Sequence, residues 1–170
     1  MIKLKKIIIA LFLVTVLILV NSKETKVLIP KEAIRFRIIA NSNKLEDQTQ
    51  KLKIKKELEP VIANILSTSN SLDETRKEIK NNMYEVKNIL NKYDTDYKLN
   101  YGYNYFPEKN YKGVTYKAGE YESLVVTLGD GLGDNWWCVL FPPLCLLEAT
   151  EDNYDDITYT TYIKEIIDKN

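Results

Sequence analysis

The 170-residue chain contains no histidine. Without an imidazole there is no Ser-His-Asp or Cys-His arrangement and no histidine general base, so the commonest hydrolytic machineries are excluded. Zinc is disfavoured on the same ground, because Cys138 and Cys145 are the chain's two cysteines and a structural site needs further ligands. Net charge is also missing: the formal total is zero. It conceals a split, since residues 7–93 carry 15 basic and 10 acidic side chains and residues 94–170 carry 6 and 14. A modest basic excess on helix faces, beside an acidic second half, argues against nucleic acid as a partner. Nucleotide fingerprints are absent too. The run GDGLGD, Gly129 to Asp134, has the wrong spacing for a dinucleotide or phosphate loop and no Lys-Ser/Thr comes after it, so it reads as a turn. Glu120, Glu122, Asp130 and Asp134 offer carboxylates for a glycosidase pair, but nothing in their spacing sets two across a groove, and solvated turn and edge acids are the plainer reading. No catalytic residue, cofactor site or metal site is assigned.

One long uncharged run is present. Lys3, Lys5 and Lys6 precede Ile7 to Val20, the n-region and h-region of a secretory signal. Fourteen uncharged residues are short of the about 20 that a spanning helix wants. The small-residue pair Val20 and Ser22 is a poor cleavage signal, so residues 1–22 are either a signal peptide or an uncleaved N-terminal membrane anchor. Either way the positive end stays inside and the body of the chain crosses the membrane. Residues 23–32 read as a linker, and 33–170 as a single extracytoplasmic domain of a size to bury one core.

Within that body, Ala33 to Ala40 alternates Ile34, Phe36 and Ile38 with Arg35, Arg37 and Ile39, the period of a half-buried strand. Asn43 and Glu46 resemble a capping box that opens a helix with Leu45, Leu52, Leu58, Ile62, Ile65 and Leu66 on one side, and Pro60 is expected to kink or split it. Ser71 and Glu74 form a second box before Leu72, Ile79, Met83, Val86 and Leu90. Tyr97, Leu99, Tyr101, Tyr103 and Tyr105 then alternate with polar residues along a strand, either as an amphipathic inner face or as an aromatic platform for sugar or peptide. Val114 to Tyr116 and Glu122 to Leu128 are further strands, and Asp130-Gly131 supplies turn chemistry for a hairpin into Trp136 and Trp137. The class is α+β, an antiparallel sheet packed on two amphipathic helices after a hydrophobic leader. Residues 149–170 are acidic at first and take no clear state.

Gly129 to Glu148 holds the densest chemistry. Neighbours in a strand point to opposite faces, so one of Trp136 and Trp137 needs a surface other than a one-sided core. Pro142 and Pro143 stiffen the loop beyond Phe141. Cys138 and Cys145, with six residues between them in an exported chain, are a candidate disulfide, the alternative being two buried free thiols. Large rings on a stiffened loop lose little entropy on docking, which makes Trp136, Trp137, Phe141, Pro142 and Pro143 candidate partner contacts.

The leader, the block IRFRIIANSNKLEDQTQKLKIK from Ile34 to Lys55, and the block GEYESLVVTLGDGLGDNWWCVLFPPLC from Gly119 to Cys145 together resemble the stage II sporulation protein R family. Arg37, Asn41, Ser42, Asp47, Gln48 and Asn135 fall on its motif positions. The resemblance implies a non-enzymatic signal made in the forespore and exported into the space between forespore and mother-cell membranes. Its partner there would be a membrane-embedded, aspartic-type protease of the mother cell, which matures the precursor of the sporulation sigma factor E. The competing expectation is an exported protein that binds or hydrolyses peptidoglycan through tyrosines and acids, and a plainer one is an anchored structural protein. Oligomeric state is left open.

Overall fold

The computed structural model describes residues 27–28, 32–111 and 114–145. The leader, most of the 23–32 linker and the acidic tail lie outside the described residues. In chain order the elements are β1 (Val27–Leu28), β2 (Ile34–Ile39), α1 (Leu45–Ser67), α2 (Leu72–Leu90), β3 (Tyr97–Phe106), β4 (Lys109–Tyr111), β5 (Val114–Tyr116), β6 (Gly119–Leu128) and β7 (Asn135–Phe141).

The larger sheet has four strands in the order β3-β6-β2-β7. The expected α+β class is what forms, with a mixed sheet: β3–β6 and β2–β7 are antiparallel, while the central pair β2–β6 is parallel, Phe36 facing Leu124 and Ile38 facing Val126. Because β2 lies between β6 and β7, these two strands do not pair as a hairpin. The turn at 129–134 instead arches over the end of β2. Gly131 N–H donates to the Leu128 carbonyl, and then Leu132 and Gly133 N–H donate to Asn41 and Ala40 carbonyls at 3.0 and 2.9 Å. A second sheet, β1-β5-β4, includes a parallel pairing of Val27–Leu28 with β5 and the antiparallel hairpin β4–β5.

Both helices cover one face of the larger sheet. Ile34, Phe36 and Ile38 of β2 meet Leu124, Val126 and Leu128 of β6, and Ile54, Leu58, Ile62 and Ile65 of α1 close over them with Ile79, Val86 and Leu90 of α2. Each such side chain contributes about 1.5–3 kcal/mol on burial. The stripe of α1 runs through 51, 54, 58, 61–62 and 65, so Leu45 and Leu52, expected on it, point away and are 82% and 54% exposed. The helix is continuous through Pro60. Its expected cap is not used: Lys44 occupies the N-cap position without a side-chain bond. The second box does form, Ser71 Oγ accepting from Glu74 N–H at 3.2 Å while Glu74 Oε2 accepts from Asn70 N–H at 2.7 Å.

The tyrosine strand divides. Tyr97 and Tyr101 are half-buried against the helices, donating to Asn91 Oδ1 and Glu122 Oε1, whereas Tyr103 and Tyr105 are exposed. Arg76 of α2 clamps the same Glu122, with Nε 2.9 Å and Nη2 2.8 Å from Oε2. Burial alone would raise the Glu122 carboxyl, but the bonds from Arg76 and Tyr101 outweigh it and hold it below the usual carboxylate range. This acid anchors a helix to the sheet and is unavailable as a proton donor.

Candidate partner-contact surface

The two blocks that the sequence singles out are brought together at one end of the larger sheet. Asn41, at the end of β2, accepts from Asp130 N–H through Oδ1 at 2.9 Å and donates through Nδ2 to Asp47 Oδ2 at 3.1 Å. Asn43 Oδ1 accepts from Asp134 N–H at 2.6 Å, which explains why it is not a helix cap. Ser42 Oγ donates to Asp47 Oδ2 at 2.5 Å and Gln48 Nε2 donates to the Ser42 carbonyl at 2.9 Å. Lys51 completes the frame, donating from Nζ to the Asp134 carbonyl at 2.9 Å and to Gln48 Oε1 at 2.6 Å. Desolvation lowers the pKa of this ammonium, partly opposed by the nearby Asp134 charge. Sequence spacing places the α1 lysines mostly in water. Lys51 is 5% exposed, and its position on the buried stripe with Ile54 and Leu58 is the signal that could have found it.

The glycines fit the same frame. Gly129 and Gly131 sit at φ of 52° and 67°, and a Cβ on Gly133 would overlap the Ser42 carbonyl. Leu132 projects from the tip of this pinned turn and is 79% exposed.

β7 leaves the turn with Asn135 exposed and paired with Ile39. The indoles part as strand geometry requires. Trp136 goes to the helix face, edge-on to Phe36 at 5.7 Å with Lys55 Nζ 4.9 Å from its ring. Trp137 goes to the second face, where its ring centroid lies 4.6 Å from Tyr116 and 6.1 Å from Phe106. Both indoles, Phe141 and Pro143 are partly exposed, and Pro142 is buried. Cys138 and Cys145 are disulfide-bonded, closing the loop that holds the cis Phe141–Pro142 bond.

On the second face Arg37 runs beside Trp137, with Cζ 4.4 Å from the Phe106 centroid and Nη1 donating to the Tyr105 carbonyl at 3.4 Å. Desolvation lowers its pKa. Arg35, which sequence reasoning leaves unmarked, is fully buried among Tyr121, Phe106, Trp137 and Tyr116. Burial pushes its pKa down to about 10, with smaller opposing contributions from Tyr121 and Tyr116. Alternation marks both arginines as outward-facing, but rings from β3, β6 and β7 and Tyr116 of the unforeseen β4–β5 hairpin enclose Arg35 on that face.

Among the described residues no group of three or more His, Cys, Asp or Glu side chains is placed to hold a metal ion, and no helix is long and apolar enough to cross a membrane. The surface combines a turn pinned by backbone bonds, a disulfide-braced strand end and partly exposed rings.

No solved structure matches the chain. Stage II sporulation protein R of Bacillus subtilis (strain 168) is 39% identical to it over 134 residues, covering 75% of this chain and 60% of the relative. The chain thus spans less than two thirds of that protein's length. The family described as stage II sporulation protein R matches residues 30–151, which takes in both blocks and every side chain of the frame around the 129–134 turn, and the chain belongs to that family.

Proposed function

We propose that the protein is an exported sporulation signal that activates a membrane-embedded, aspartic-type protease of the mother cell, which then matures the sigma factor E precursor. Family membership supports the sporulation role. The leader of residues 1–22 supports export into the space between the two membranes. The observation that carries the contact reading is the pair of bonds donated by the Asp130 and Asp134 N–H groups to Asn41 and Asn43 Oδ1, by which one block fixes the shape of the other. A turn held this way presents Leu132 without an ordering cost at the moment of docking, and partly exposed Trp136 and Trp137 follow it on the two faces of β7, with Phe141 and Pro143 at that strand's far end. The signal acts by binding, and catalysis belongs to the partner.

The test is reconstitution. The full chain is added to the protease in proteoliposomes with the sigma precursor, and cleavage is monitored by gel. Cleavage only when the chain is present is the expected result; precursor cut equally well without it, or not at all with it, defeats the reading. A second reading, recognition of wall glycan, is favoured by Tyr103 and Tyr105, which are 72% and 59% exposed on one strand. Sedimentation with isolated cell wall separates the two, since retention of the chain by wall supports the glycan reading.

A further inference from the structure

Arg35 is 0% exposed, and its Nε, Nη1 and Nη2 atoms have no hydrogen-bond partner among the described residues. Arg37, two residues on and partly exposed, leaves its buried Nε unpaired as well, and its bond to the Tyr105 carbonyl is long. Buried donors are nearly always satisfied, and an unpaired buried charge is among the least favourable groups a fold retains. The rings soften this without removing it. The Arg35 Cζ is 3.4 Å from the Tyr121 centroid and 5.0 Å from Phe106, but a ring face attracts the charge and accepts none of the five in-plane N–H groups well.

The strands around the two arginines offer no counter-charge among the described residues. Side chains alternate along each strand, so the second face takes Lys98, Asn100 and Asn104 from β3, Ser123 and Thr127 from β6, and no carboxylate from any strand of the larger sheet. Glu120 and Glu122 fall on the helix face, the latter committed to Arg76. Overhead, the β4–β5 hairpin adds another cation: Lys109 Nζ lies 5.3 Å from the Trp137 centroid. That hairpin forms no ladder with the larger sheet, and its Tyr116 meets Trp137 of β7 and Arg35 of β2 through side chains.

We propose that Arg35 and Arg37 are the floor and mouth of a binding site for a carboxylate carried on an apolar stem, roofed by the β4–β5 hairpin. The planar two-oxygen carboxylate matches the guanidinium fork. Its single charge costs less to desolvate among four rings than a phosphate dianion, and the rings accept the stem. Entry is from the side of the partly exposed Arg37. This site stands independently of the protease-activation reading.

The chain has three arginines, Arg35, Arg37 and Arg76, so their Nε–H signals form a sparse spectrum in which the ion-paired Arg76 is an internal control. The intact, 15N-arginine-labelled protein is titrated with sodium hexanoate, sodium phosphate and sodium chloride at matched ionic strength, with Arg37→Lys used for assignment. The expected result is a saturable shift of the Arg35 and Arg37 signals by hexanoate alone, with Arg76 unmoved. In Arg35→Lys, the hexanoate concentration needed for half-saturation at Arg37 should rise tenfold or more. Equal effects of hexanoate and chloride, movement of Arg37 without Arg35, or saturation by phosphate at lower concentration would each overturn the assignment.

Discussion

Replacing Gly133 by alanine adds one methyl group at the point where the β6–β7 turn crosses the end of β2. That methyl would sit inside contact distance of the Ser42 carbonyl oxygen and carbon and 2.9 Å from the Ala40 side chain. Backbone is the obstacle, and it is itself fixed: the Ser42 carbonyl accepts from Gln48, and Gly133 N–H is bound to the Ala40 carbonyl at 2.9 Å. Relief therefore requires the turn to lift, stretching the bonds from Leu132 and Asp134 as well. Overpacking of this kind costs about 1–3 kcal/mol, and partial loss of one backbone bond adds about 1 kcal/mol. Gly102, in the middle of β3, is the matched control, since a Cβ there meets nothing within 4 Å. Gly102→Ala should be neutral or slightly stabilising, because alanine has less unfolded-state freedom to lose. Urea unfolding of the full chain, read by tryptophan fluorescence, compares the two variants with the parent. A Gly133→Ala midpoint that coincides with those of the parent and Gly102→Ala would refute the claim that the turn is pressed onto Ser42.

The same contacts set further outcomes. Changing both Cys138 and Cys145 to serine opens an eight-residue loop and should lower stability by about 2.5 kcal/mol on the chain-entropy model, read as a lower urea midpoint; an unchanged midpoint would show that the bridge constrains nothing. Glu122 has a folded-state pKa below its ordinary 4.5, so its contribution is present above that value and lost as pH falls through and below it. Glu122→Gln should therefore be less stable than the parent at neutral pH, with the gap narrowing in acid, and a gap that persists undiminished into acid would contradict the ion-pair account.

Much of the core is legible in the sequence because it obeys simple periods. Ile34, Phe36 and Ile38 on β2 and Ile79, Val86 and Leu90 on α2 are buried where alternation and helical spacing put them, and Ser71 caps α2 as its sequence indicates. What escapes local reading is set by distant partners. Asn43 looks like a helix cap in isolation, but the Asp134 N–H across the turn claims its side chain. Asp130-Gly131 makes a tight turn without making a hairpin, since nothing in those residues reveals that β2 inserts between β6 and β7. Lys51 and Arg35 read as solvent-facing by residue type, and each is buried by elements far away in sequence, the turn in one case and rings of β3, β5, β6 and β7 in the other. Leu45 and Leu52 fail in the opposite sense, apolar by type and left on the outside by a helical phase fixed through Ile54 and Leu58. For the candidate contact surface, composition identifies the region, while the frame that gives it shape comes from the fold.

The most direct test of that surface is cleavage of the sigma precursor in protease proteoliposomes supplied with Leu132→Asp. Leu132 is 79% exposed, so the change should leave the stability within about 0.5 kcal/mol of the parent, read by urea unfolding. The account predicts a well-folded chain that no longer triggers cleavage; cleavage at the parental rate would contradict it.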